Sequence, residues 1–184
     1  SLMTNENNTT QGDQNALDVA FMNRAIELAD KAERLGEIPV GAIVVHNGKI
    51  IGEGYNLSIT NNDPSAHAEM IAIRQAGQYL DNYRLVDCTL YVTLEPCPMC
   101  AGLLVHSRIS RLVFATTDLK TGSAGSVFNL VENDKLNHQV SVCSGVKAEQ
   151  CSEKLSAFFK RRRTEIKQKK REMKRQLAGN EHCS

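Results

Sequence analysis

Between residues 15 and 35 the apolar side chains Phe21, Ala25, Leu28, Ala32 and Leu35 recur at i, i+4, i+7, i+11 and i+14, with Val19, Met22 and Ile26 beside them. That spacing lines one face of a 3.6-residue repeat and predicts a helix, which Gly36 is placed to end. The pattern then changes period. Two β-rich runs, 40–46 and 49–55, are separated by Asn47-Gly48, a pair that accepts the positive φ angles of a tight turn, and they predict an antiparallel hairpin. After a polar loop over 58–63, Asp63-Pro64 marks a helix start, Gly77 its end, and Ile71, Ala72, Ile73 and Ala76 its apolar surface. Residues 88–94 read as a buried strand that Glu95-Pro96 stops, 98–107 as a short helix, and 111–115 as another strand. The stretch 116–126, with Thr121-Gly122-Ser123-Ala124-Gly125, is a loop by composition; 139–143 is a short edge strand, and a long helix begins at Ala148.

This order predicts a three-layer α/β/α fold, a mixed central sheet of about five strands with helices on both faces. A chain of 184 residues suits one core, and no repeat or linker divides it. We assign residues 15–177 to a single domain. The Asn/Thr/Gln-rich residues 1–14 read as a disordered tail, with Ser1-Leu2 ahead of Met3 an artificial scar, and 178–184 as a frayed end. There is no apolar run of membrane-spanning length and no signal-like N-terminus, so a soluble, cytoplasmic protein with no membrane contact is expected. Cys88, Cys143, Cys151 and Cys183 show no disulfide spacing and are read as reduced.

Charge alters this picture at one end. Residues 160–175 hold 10 of the 22 Lys and Arg but only two acids, Glu165 and Glu172, a net +8 against −7 for the remainder. A basic tail on an acidic body suits a polyanionic partner, although such runs are also common as solvated helix faces.

The candidate chemistry lies in two short motifs. Cys97-Pro98-Met99-Cys100 supplies two thiols three apart, with Pro98 placed to open the helix that presents them, and His67-Ala68-Glu69 supplies an imidazole and a carboxylate. His67 and Glu69 are two apart, about 200° in a helix interior, so they converge only near a helix start. Two helix N-termini are therefore expected to face one spot, where their dipoles favour thiolate. Three ligands, His67, Cys97 and Cys100, leave a fourth zinc position for water, and bound zinc lowers that water's pKa to about 7. Glu69, not a ligand, is then the candidate to move its protons. A Cys-x-x-Cys alone also reads as a redox pair or two buried thiols; the His-x-Glu partner makes catalytic zinc, one ion per subunit, the favoured reading.

His67-Ala68-Glu69 with Pro96-Cys97-Pro98-Met99-Cys100 resembles the signature of the zinc nucleobase deaminases. Pro39-Val40-Gly41-Ala42, Gly52-Glu53-Gly54-Tyr55-Asn56, Asp63-Pro64-Ser65-Ala66, Tyr91-Val92-Thr93-Leu94-Glu95 and Asp118-Leu119-Lys120-Thr121-Gly122 extend the resemblance, over about residues 19–166, to the bacterial tRNA-specific adenosine deaminases. The resemblance implies a cytidine-deaminase-like fold and deamination of wobble-position adenosine to inosine in a tRNA anticodon loop. Zinc hydroxide would attack C6, Glu69 would shuttle protons, and ammonia would leave. It further implies that Asn56 bonds the extruded purine and that Asp118 lies in the loop touching its ribose; on residue type alone these are an Asn in a turn and a cap. Phe158, Phe159, Lys160 and Arg162 match the family's aromatic and basic helix beside the anticodon stem-loop, whereas their helical spacing with Leu155 also suits a core position for at least one Phe. A homodimer is implied as well.

Two other readings remain at this point. One is a zinc-dependent deaminase of a free base, nucleoside or nucleotide, of the cytosine, guanine or dCMP type, which shares the metal signature but does not call for the basic helix. The other is a noncatalytic RNA-binding subunit with structural zinc, which would not need Glu69. His46 at a strand end, His106 at the end of the Cys helix and His182 in the terminus are read as structural, and His138 is assigned no role.

Overall fold

The computed structural model describes residues 10–181. Along the chain run α1 (Gln11–Arg34), β1 (Gly41–His46), β2 (Lys49–Tyr55), α2 (Ala68–Leu80), β3 (Cys88–Leu94), α3 (Pro98–His106), β4 (Arg111–Thr116), β5 (Ser141–Ser144) and α4 (Ala148–Glu181). The sheet order is β2-β1-β3-β4-β5, antiparallel across the first three strands and parallel from β3 onward. It is the mixed five-stranded sheet expected, with Ala42, Val44, Leu90, Val92, Leu112 and Phe114 facing α2 and α3. The alternate residues Ile43, Val45, Tyr91, Val113 and Ala115 face α1, with Cys151 of α4 in the same cluster. Period-2 alternation thus gives each face its own core, and the layers are α/β/α.

Asn47 and Gly48 take φ of 51° and 74°, the primed turn that the dipeptide promised. Gly52 and Gly54 of β2 let α2 lie directly on the hairpin backbone: a Cβ on Gly52 would sit 2.1 Å from the Ala72 carbonyl oxygen, and one on Gly54 2.3 Å from that of Ala68. That close approach fixes where α2 begins relative to the sheet.

Several boundaries differ from expectation. Helix α1 starts at Gln11, because Thr10 and Asp13 close a reciprocal capping box (Asp13 N–H to Thr10 Oγ1, 3.2 Å) that brings 11–14 into its first turn. Its buried face centres on Met22, Ala25, Leu28, Ala29 and Ala32; Leu35 and Val19 are exposed, while Asp18 is buried. Helix α2 starts at Ala68, not Pro64. The Asp63 carboxylate accepts from Ser65 N and Oγ (2.8 and 2.7 Å), forming a turn that delays the helix, and Gly77 is passed before Asp81 ends it in the left-handed region (φ 50°). The edge strand is shifted to Ser141–Ser144, and α4 continues through residues 178–181. The scar, residues 3–9, His182 and Cys183 lie outside the described residues. No described helix is long and apolar enough to cross a membrane.

Candidate active site

The C-terminal end of β3 delivers Leu94-Glu95-Pro96 into Cys97, the N-cap of α3, with Pro98 at its first position. Opposite it, His67 is the N-cap of α2 and Glu69 the second residue inside. Both motifs stand at helix starts that meet at the carboxyl ends of strands, the usual position of a site in an open α/β sheet.

His67 Nδ1 lies 3.6 Å from Cys97 Sγ and 3.6 Å from Cys100 Sγ. Nitrogen and sulfur ligands placed tetrahedrally around zinc at their usual bond lengths are about 3.6 Å apart. The three residues therefore fit one zinc ion, and among the described residues they form the one such His/Cys/acid group, with all ligand atoms within 4.8 Å of one another. The donor set agrees: two soft thiolates and one imidazole suit zinc, and three ligands leave a position open.

Their electrostatics are those of a site built for anions. A hydrogen bond from Cys100, then one from His67, pulls the Cys97 thiol down to about 4, against the opposing effect of burial. The same Cys97 contact, followed by burial and the neighbouring Glu69, pushes Cys100 up, and the bond to Cys97 raises His67. Burial raises Glu69, which is 4% exposed. The carboxylate lines the cavity over the cluster without belonging to the ligand group.

That cavity, about 370 Å³, is walled by Val40, Asn56, His67, Glu69, Leu94, Asp118 and Thr121, among others. Asn56 Oδ1 accepts the Ala68 N–H at 2.9 Å, so it supplies the cap that His67 does not make, and its amide NH2 has no partner among the described residues. The Asp118 carboxylate accepts from Lys120 N, Thr121 N and Thr121 Oγ1 (3.0, 3.2 and 3.1 Å), which makes it a turn cap on the cavity wall. Phe158 is buried while Phe159 is 42% exposed, resolving the pair into one core ring and one surface ring. Phe159 lines a second cavity of about 470 Å³ that shares Ile38, Leu94, Asp118 and Thr121 with the first. Lys160 is exposed, and Arg162 turns toward α1, donating to the Gly36 carbonyl at 3.1 Å.

Two residues that hold the walls were assigned no role from the sequence. Glu37, buried, accepts from Ile59 N, Thr60 N and Thr60 Oγ1 (3.1, 2.6 and 2.6 Å) and pins the 57–63 loop. Glu95, also buried, accepts from Asp118 N, Ala124 N and Ser126 N (3.1, 3.0 and 3.1 Å) and from Ser126 Oγ, pinning 118–126. The sequence signal for Glu95 was its place in the stretch 91–95 that shares the family resemblance, at the end of a strand; Glu37 gave none. Elsewhere, His46 ends β1 with Nδ1 3.6 Å from Cys88 Sγ, His106 ends α3, and His138 Nε2 lies 2.6 Å from the Ile109 carbonyl.

A three-layer α/β/α fold carrying an open His/Cys/Cys site beside a buried Glu defines a zinc-dependent deaminase. Residues 15–116 match the cytidine and deoxycytidylate deaminase zinc-binding region, and the chain belongs to that family. Within it, the chain is similar to the tRNA-specific adenosine deaminase of Haemophilus influenzae, 59% identical over 151 residues that span 82% of this chain and 87% of that protein. It is 46% identical to the tRNA-specific adenosine deaminase of Bacillus subtilis over 88% of this chain and 98% of that one. A solved structure of a tRNA A34 deaminase, an A-to-I editor of the wobble position, superposes with a TM-score of 0.72 at 37% identity, covering 74% of this chain and 99% of that one.

Proposed function

We propose that the protein deaminates the wobble adenosine of a tRNA anticodon loop to inosine, releasing ammonia. The observation that carries this reading is the 59% identity to a tRNA-specific adenosine deaminase across 87% of its length, a span that includes the whole cavity wall. When bound by His67, Cys97 and Cys100, zinc would acidify a coordinated water to a pKa of about 7, making a nucleophile available at neutral pH. Glu69 would accept one proton of that water and pass it to purine N1, then carry the second, from the hydroxyl gained by C6, to the amino group, so that C6 is left as a carbonyl and ammonia departs. Its burial keeps bulk water from competing for the proton.

Asn56, with its oxygen held by α2, offers its amide NH2 to the base. Asp118 stands on the wall where the ribose would lie. A cavity of about 370 Å³ is at the small end of ligand sites, suited to one extruded nucleoside. Phe159 offers a face to a neighbouring base, supported from beneath by buried Phe158, while Lys160 and the remaining donors of Arg162 lie near enough along α4 to meet phosphates. A cytoplasmic homodimer with one zinc per subunit completes the reading, and sedimentation of the zinc-loaded protein tests the dimer.

The deciding experiment incubates zinc-loaded protein with an anticodon stem-loop bearing adenosine at the wobble position and measures inosine. Product from the stem-loop is expected. Turnover of free adenine, guanine, cytosine or dCMP without turnover of the stem-loop would replace this reading with a free-substrate deaminase.

A further inference from the structure

In a helix begun at Pro64, His67 and Glu69 would point about 200° apart and could not meet over one metal. The chain avoids that register by diverting the hydrogen bonds such a helix needs. The Ser65 carbonyl, which would accept from Glu69, accepts the His67 N–H at 2.8 Å. The Ala66 carbonyl, which would accept from Met70, accepts the Leu57 N–H at 2.9 Å, and the Ala68 N–H, which would go to Pro64, goes to Asn56 Oδ1 at 2.9 Å. The Glu69 N–H so released is left to bond its own carboxylate. His67 therefore enters α2 extended, with φ −78° and ψ 153°, as its N-cap.

Ser65 is the joint of this arrangement, and Asp63 sets it. Asp63 Oδ1 accepts both the Ser65 N–H and its Oγ–H, at 2.8 and 2.7 Å. The Asp63 carbonyl accepts the Ala66 N–H at 3.1 Å, and the Asp63 N–H donates to the Ser58 carbonyl at 3.0 Å, so one residue ties the turn both to itself and to the loop leaving β2. Asp63 is not among the residues that wall the metal cavity, although its neighbour Pro64 is. Helix α2 has its own anchors, the Asn56 cap and the close contact with Gly52 and Gly54, so Glu69 does not depend on this turn. His67 does: it precedes the helix, and its Nδ1 keeps 3.6 Å from each sulfur only while the turn holds its backbone extended.

We propose that Asp63 is a positioning residue of the metal centre: by holding Ser65 it fixes the extended entry of His67, and with it the spacing of His67 from Cys97 and Cys100. The proposal rests on the metal site of the functional reading and not on the identity of the substrate. A carboxylate that merely stabilised the loop would affect melting and leave the bound metal as it is. A carboxylate that aims a ligand changes the hold on the metal, as groups behind metal ligands do.

The test loads the full chain with zinc, or with Co(II), whose visible bands report the geometry of its ligands, and compares Asp63→Ala, Asp63→Asn and Asp18→Asn with the parent. Asp63→Ala should release zinc to a chelator about 10- to 100-fold faster and shift the Co(II) bands. Asp63→Asn keeps the Oδ1 acceptor, so its release should stay within about threefold of the parent with the bands unmoved. Asp18→Asn disturbs the buried contacts with Arg111 and Tyr91 and should lower the urea midpoint while leaving release and bands unchanged. Where Asp63→Ala does not fold, Ser65→Ala, which removes only the hydroxyl bond, should speed release by about five- to tenfold. Parent-like release and bands in Asp63→Ala, or in Ser65→Ala where the former does not fold, would overturn the positioning role. So would an Asp63→Asn variant as impaired as Asp63→Ala, or the same metal loss in Asp18→Asn, which would trace the effect to general stability. A parent that binds no zinc would overturn the metal site and this role together. Inosine formation is scored separately: no product from a zinc-loaded parent whose variants behave as expected defeats the deaminase reading and leaves the positioning role standing.

Discussion

Asn56 holds two positions at once, and a pair of substitutions separates them. Its Oδ1 caps the first N–H of α2, the helix whose start sets His67 and Glu69, while its amide NH2 is left for a ligand. Asn56→Ala removes the cap and should cost about 1 kcal/mol, which in a chain of this size lowers Tm by about 2–4 °C. Asn56→Asp keeps the acceptor and sets a negative charge at a helix N-terminus, where the dipole favours it, so its Tm should equal or exceed that of the parent. Asp has no NH2 to give. If that group holds the purine, kcat/KM on the stem-loop should fall by about 10- to 100-fold in Asn56→Asp, equivalent to about 1.4–2.7 kcal/mol. Thermal melts, zinc content and inosine formation measured side by side decide the matter. An Asp variant that melts like the parent and turns over within about threefold refutes the substrate contact, and an Ala variant with no loss of stability refutes the cap.

Other outcomes follow from the same geometry. Glu69→Ala should retain stoichiometric zinc but lose about 10²- to 10⁴-fold in turnover; full turnover would remove Glu69 from the mechanism. Chelation should abolish activity and lower Tm, and zinc should restore both, whereas activity that survives exhaustive chelation argues against a metal role. Gly52→Ala drives a Cβ to within 2.1 Å of the Ala72 carbonyl oxygen and should destabilise by about 1–3 kcal/mol, read from urea midpoints. Burial by itself would raise the pKa of Asp18, but hydrogen bonds from Arg111, Tyr91 and Gln14 outweigh it and hold the carboxyl below its usual value. Because the folded-state value is depressed, this stabilisation is complete above about pH 4 and fades as pH falls through the folded pKa. Urea midpoints between about pH 5 and 2 should fall less steeply in Asp18→Asn than in the parent.

The parts of this molecule that were legible in the sequence are those governed by local rules. Apolar periodicity located the nine elements, Asn47-Gly48 located the hairpin, and the incompatible spacing of His67 and Glu69 required the helix start on which they are found. Local rules failed where two local arrangements competed for the same residues and where a side chain reached a distant partner. Asp63-Pro64 read as a helix start because its turn competes with a helix through Ser65, a contest composition does not settle. Asp18 carries no signal in the pattern of α1, yet it is buried against Arg111 and Tyr91, 93 and 73 residues away. Arg161 and Arg162 read as part of one uniform basic run, and only the placement of α4 against Glu33 and Gly36 shows that these two fasten the helix to α1.

Glu37 and Glu95 give the cavity an unusual kind of adjustability. Each grips its loop chiefly through main-chain amides, so the path of the wall depends little on which side chains the loop bears. Residues of 57–63 and 118–126 that point into the cavity can be exchanged while the loops keep their course and the His67, Cys97 and Cys100 cluster keeps its spacing. Gly122 is a fixed point in that freedom, since a Cβ there would meet the Glu95 carboxylate carbon at 2.4 Å. A library that varies Ser58, Ile59 and Thr121 with both carboxylates and Gly122 held constant should therefore yield folded, zinc-binding proteins with altered choice of base.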